Sequence, residues 1–307
     1  MVSVLHALLR DVPQPIVAGD VGEWWRRCAE RREPAASPID DAIVAGLLAD
    51  RVGYAFAGAY EAALRALFPG LPDGTIASFC ATERGGNTPR AIETSLSPRR
   101  DGGFALSGAK RWSTLGPLAG VLLVVASEGT DANDRKRLRV VRVPARARGV
   151  TIAPMPLTPF VPEVPHAAIE FDAVEIDASA LFNGDGYARY VKPFRTVEDI
   201  HIEAALLAYV ISVVRRHDLP LELVERGAAA LVAVHALATL DPSAPETHLA
   251  LAGVLADASR LFDDVTAAWA TIGDPEGERW QRDRALFGMT AEVRERRRRR
   301  AWGVLRR

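Results

Sequence analysis

Between Phe79 and Ser127 the chain gathers residue types that can bind and orient a polar ligand: Thr82, Glu83, Arg84, Gly85, Gly86, Asn87 and Thr88 in one loop, then Trp112 and Thr114. A loop with two adjacent glycines can turn its backbone amides outward, toward an anion or the polar edge of a ring. Trp112 serves either as an open aromatic platform or as a half-buried strand residue, and its type alone leaves both uses open. Further along, Glu198, Asp199, His201 and Glu203 form a second polar group. Near a helix start, Glu198 and Asp199 are carboxylates that the helix dipole favours. Asp199 and Glu203 fall on one helical face and His201 on another, which is not a metal-ligand arrangement. His235 and His248 show no ligand spacing, and Cys28 and Cys80 lie far apart, so no metal is expected and a reducing cytoplasm is.

The elements that must position these residues are legible from pattern. Ile76 to Ala81 is a short apolar run of strand type, and Val121 to Ala126 is apolar throughout, as in a strand covered on both faces. Asp101, Gly102 and Gly103 supply the positive φ of a turn, so Phe104 to Gly108 and its partner form a hairpin. Val140 to Val143, Val150 to Ile152 and Ala167 to Ile176 read as further strands, and Arg135 to Arg139 as a solvated turn. Pro154, Pro156, Pro159, Pro162 and Pro165 mark an irregular connection. Before this region the pattern is helical. Trp24 and Trp25 sit in a short first helix, a Pro-rich break runs from Pro34 to Pro38, and Asp40 caps a helical stripe from Ile43 to Leu67 that Pro69 and Gly70 end. After about Tyr187 the sequence is helical again: Leu251, Val254, Leu255, Ala258, Leu261, Phe262, Val265 and Trp269 recur at helical spacing, and Ser243 with Glu246 forms a capping box. The fold class is α+β: an N-terminal helical subdomain (1–74), a middle β-barrel or sandwich (75–185) and a C-terminal antiparallel helical bundle (186–307).

With 307 residues, 49% apolar and 25% charged, the chain can bury a large core, and its net charge of -1 gives no footing for nucleic acid as a partner. No apolar run is long enough to span a bilayer. The run Glu295 to Arg300 and the last two arginines read as a solvated helix end, with Ala301, Trp302, Val304 and Leu305 touching the bundle.

The middle stretch resembles the acyl-CoA dehydrogenase family. There a Tyr-Cys-x-Thr-Glu-Pro-Gly-x-Gly-Ser strand and loop precede an Asp-Gly turn, an Asn-Gly-x-Lys-x-Trp-Ile-Thr run and an apolar strand. Phe79 to Thr88, Asp101-Gly102 and Ser107 to Thr114 repeat that order and spacing, Ile169 to Ile176 and Gly184 to Tyr187 resemble the family's last β segment, and Arg282-Asp283 resembles a later pair. The resemblance implies FAD as cofactor, with backbone around Phe79, Ala81 and Thr82 at the pyrimidine edge, Trp112 against the ring and Thr114 reaching N5. Asn87 and Thr88 stand where the family places Gly and Ser against the phosphates, and Arg84 replaces its proline.

The implied reaction is α,β-dehydrogenation of an acyl-CoA thioester: a glutamate in a dry pocket removes the α-proton while the β-hydride passes to FAD. At the usual place of that glutamate this chain has Gly288. Glu198, near the start of the first long C-terminal helix, is the substitute expected from members that carry the base there. Without a base, the same fold implies a catalytically silent relative, or a flavin-dependent monooxygenase that needs none. The family pattern also implies a homodimer or homotetramer.

Overall fold

The computed structural model describes residues 2–10, 13–31, 37–100, 102–288 and 291–306. Pro34, Asp101, Met289, Thr290 and Arg307 lie outside them. The described residues cluster into two compact units, one of Phe68–Leu157 with Val164–Phe194, the other of Met1–Leu67, Thr158–Glu163 and Arg195–Arg307.

The first unit is β. Its described strands are β1 (Ala77–Cys80), β2 (Ser95–Pro98), β3 (Phe104–Thr114), β4 (Val121–Thr130), β5 (Lys136–Pro144), β6 (Val150–Pro154) and β7 (His166–Ile176). They pair in the order β1-β4-β2-β3-β7-β6, with β5 on β4. Parallel β1-β4 and β2-β4 pairs lie beside antiparallel β2-β3, β3-β7, β4-β5 and β6-β7 pairs. Leu96, Leu106, Leu122, Val124, Val141, Ile169 and Phe171 fill its core, which removes apolar surface from water on one face of the curled sheet. The charged residues from Lys136 onward begin strand β5 rather than a turn; the turn sits earlier, where Asp131 accepts from the amides of Asn133 and Arg135.

The second unit is helical: α1 (Val2–Arg10), α2 (Val21–Arg31), α3 (Pro38–Leu48), α4 (Val52–Leu67), α5 (Lys192–Arg216), α6 (Leu221–Leu237), α7 (Pro245–Trp269), α8 (Pro275–Asp283), α9 (Ala285–Gly288) and α10 (Ala291–Leu305). The first residues of α5 cluster with the β unit, after a π-helical turn at Tyr187–Val191. Two expected caps move. Ser37, not Asp40, caps α3: its hydroxyl accepts the Asp40 amide at 3.4 Å and donates to the Asp40 carboxylate at 2.7 Å, with Pro38 opening the helix. Ser243 does not cap α7, because its amide turns to Asp241 and Ala244 takes the cap position without a side-chain bond. In α3, Gly46 meets α5 so closely that a Cβ there would lie 2.1 Å from the Ala205 carbonyl oxygen. Part of the Pro-rich connection joins the helices: the Val161 amide donates to Asp283 at 2.7 Å, and Glu163 accepts from Arg282 at 2.8 Å.

The arginine run is only partly a solvated end. Arg294 and Arg297 turn inward to a buried aspartate, Ala301 is buried, and Trp302, Val304 and Leu305 remain exposed.

Candidate functional site

In the β unit, Thr82, Trp112 and Thr114 lie on adjoining chain segments. The Ser78 hydroxyl donates to the Thr114 carbonyl at 2.7 Å and the Arg111 amide donates to the Thr82 carbonyl at 2.8 Å, so the β1 segment runs antiparallel to the end of β3. The β3-β7 register slips between Lys110, opposite Ile169, and Ser113, opposite Ala167. Two residues, Arg111 and Trp112, therefore stand against one, which is a β-bulge. The reason is side-chain demand: Lys110 and Ser113 are both buried though three positions apart, which strict alternation cannot satisfy. Trp112 absorbs the conflict with φ 55, a left-handed conformation that costs a bulky residue ~1–3 kcal/mol. Its amide donates to the Met155 sulfur at 3.2 Å, and its indole meets His166 edge-on at 5.7 Å while remaining 48% exposed.

The loop before the bulge is tied down at its root. Glu83 and Gly86 exchange backbone bonds at 2.9 and 3.0 Å, with Gly86 at φ 103. The Glu83 carboxylate accepts from the Glu93 amide at 2.7 Å, the Thr94 amide at 3.1 Å, the Thr94 hydroxyl at 2.8 Å and Lys110 Nζ at 2.5 Å. Burial alone would raise the Glu83 carboxyl; Lys110 and these donors outweigh it and hold the group ionised, below its ordinary range. Asn87 and Thr88 are exposed on the same loop. Phe79 and Ala81 are buried, Phe79 against Phe68 and Phe194 at 5.4 and 4.8 Å, which leaves their backbone rather than their side chains for a ligand.

Glu198 belongs to the helical unit, where α5 carries a buried polar group. Its carboxylate accepts from Arg195 at 2.7 Å, yet burial pushes its pKa up to about 6 against the pull of that cation. Asp199 accepts from Arg294 at 3.0 Å and Arg297 at 2.9 Å, and Arg297 also donates to the Thr196 hydroxyl at 2.9 Å. Burial raises Glu203 further, to about 8, and one of its oxygens has no hydrogen-bond partner. His201 is buried with Nδ1 2.7 Å from the Val197 carbonyl, and burial lowers it to about 4. Gly288 ends α9 in open space, with nothing within 4 Å of where a Cβ would stand. Among the described residues no group of His, Cys, Asp and Glu is arranged to hold a metal, and no helix is long and apolar enough to cross a membrane.

His166 and Met155 escaped the sequence reading. Glu83 and Lys110 were visible only as parts of a pattern, because nothing in two residues 27 apart shows that they are partners.

A curled sheet joined in one chain to a set of helices defines an α+β architecture. Residues 78–174 match the family described as acyl-CoA dehydrogenase, middle domain. No curated protein sequence matches the chain. Among solved structures, butyryl-CoA dehydrogenase from Megasphaera elsdenii aligns at TM-score 0.68 and 15% identity, over 99% of this chain and 97% of that one. A protein described as an FAD-dependent dehydrogenase aligns at TM-score 0.71 and 15% identity, over 98% and 97%. The FAD complex of PigA aligns at 0.68 and 12%, over 98% and 96%. Residues 78–174 thus match the middle domain of the acyl-CoA dehydrogenase family, and the fold is similar to that of these solved structures.

Proposed function

We propose that the protein is an FAD-dependent oxidoreductase that oxidises an acyl-CoA thioester between its α and β carbons. The observation that carries this reading is the exposed Trp112 indole, held on a strained bulge beside Thr82 and Thr114. A flat heteroaromatic ring fits that donor set: an indole face, two threonine hydroxyls and a backbone edge at Phe79, Ala81 and Thr82. Exposed Arg84, Asn87 and Thr88 supply a cation and polar groups for its phosphates. A bound FAD supplies two-electron oxidation. The chain's own share is to orient the ring with Trp112 and Thr114, and to hold a proton at the Glu198 carboxylate. Burial suits Glu198 to that task, since a carboxyl near pKa 6 is ionised at neutral pH yet more basic than a free one. The working unit is a homodimer or homotetramer in the cytoplasm.

A second reading has its own observation. Gly288 stands in open space where the family's usual base aligns, and Arg195 occupies one Glu198 oxygen. These favour a silent relative or a flavin-dependent monooxygenase. The test is the visible absorption of protein purified without added cofactor, followed by anaerobic acyl-CoA. A flavin spectrum that bleaches supports dehydrogenation. A flavin spectrum unmoved by acyl-CoA, with oxygen uptake on adding a reductant, supports hydroxylation, and a colourless protein that takes up no FAD rules out both enzymes.

A further inference from the structure

We propose that the buried Glu83–Lys110 pair is the positioning device of the ring surface, setting the pitch of the Trp112 indole and its register against Thr82; the proposal rests on the FAD reading above. Lys110 is fully buried, and its ammonium meets Glu83 at 2.5 Å. Such a pair contributes little net stability, because taking both charges out of water costs about what their attraction returns. What it supplies is geometry.

Glu83 follows Thr82 and Lys110 precedes Arg111, so the ion pair stands beside the main-chain bond that joins Thr82 to Arg111. The same carboxylate holds the start of β2 through Glu93 and Thr94. At Gly108, φ 141 and the missing side chain let β3 approach that segment, since a Cβ would lie 2.6 Å from the Thr94 Cα. Three segments thus meet at one carboxylate: the loop of Thr82 to Thr88, the entry to β2, and β3. Anchoring Lys110 inward while Ser113 is also inward forces the extra residue between them, and Trp112 takes the left-handed turn. Without the anchor the strand is free to return to plain alternation, moving the register of Arg111 and relaxing Trp112.

The experiment replaces both charges at once, Glu83→Gln with Lys110→Met, so that no lone charge is left buried. The readouts are FAD affinity by titration of the apoprotein, the visible circular dichroism of bound FAD, and the melting temperature of the apoprotein. The expected result is cooperative unfolding near the wild-type temperature, FAD bound about tenfold or more weakly, and a changed visible dichroism band. A folded double variant with wild-type affinity and band overturns the proposal. If the double variant fails to fold, Thr94→Val, which removes one donor to Glu83, is expected to weaken FAD several-fold and alter the band, and wild-type values for both overturn it. Wild-type protein that takes up no FAD overturns the FAD reading itself, and the proposal with it.

Discussion

Glu198 and Trp112 illustrate how little a residue's type says before its surroundings are known. As a first-turn carboxylate, Glu198 would be exposed and ordinary; burial instead lifts it to about 6 while Arg195 holds one oxygen. If it is the base, oxidation of acyl-CoA should rise as pH climbs through about 6, because the ionised form accepts the proton. Glu198→Gln should abolish that oxidation and leave flavin content intact. Near-normal turnover in the variant, measured with an artificial electron acceptor, removes Glu198 from the mechanism. Thr82, Trp112 and Thr114 belong to two motifs whose spacing the sequence shows. No spacing encodes the register slip between Lys110 and Ser113 or the left-handed Trp112 it carries.

Among elements, the strands and long helices follow from periodicity, whereas their close approaches do not. Two helical glycines make the point. Gly46 in α3 faces the Ala205 carbonyl with no room for a methyl, while Gly253 in α7 faces nothing within 4 Å. Gly46→Ala should destabilise by ~1–3 kcal/mol or more through overpacking. Gly253→Ala should stabilise by ~0.5–1 kcal/mol, since alanine restricts the unfolded chain and loses nothing in a helix. Urea unfolding of the two variants checks both signs, and equal effects would mean that α3 is not pinned to α5. The misplaced cap of α3 has a similar cause: Ser37 and Asp40 both suit a helix start, and the extended backbone of Ser37 ahead of Pro38 makes the serine the cap.

For the molecule as a whole, the buried groups of α5 predict how stability depends on pH. Glu203 has a folded pKa raised to about 8 from 4.5, so the stability linked to its protonated form is fully present below 4.5 and is lost as pH rises through 8. Burial opposes its ionisation most, Arg294 favours it and Asp199 adds to the opposition, so burial and Asp199 together outweigh Arg294. His201, depressed to about 4 from 6.5, acts in the other direction: its contribution is present above 6.5 and is lost as pH falls through 4. Glu203→Gln should therefore flatten the decline in melting temperature between pH 4.5 and 8. A variant that melts with the wild-type pH profile would place Glu203 in water. Taken alone, the sequence determined the α+β class and the order of helical, β and helical regions, because periodicity, turn chemistry and motif spacing are local properties. The tertiary structure decided which side chains are partners: Glu83 with Lys110, Asp199 with Arg294 and Arg297, and Glu203 with none at one oxygen. The reason is physical: burial and pairing arise between residues far apart in the chain, and the energy of a charge depends on what surrounds it.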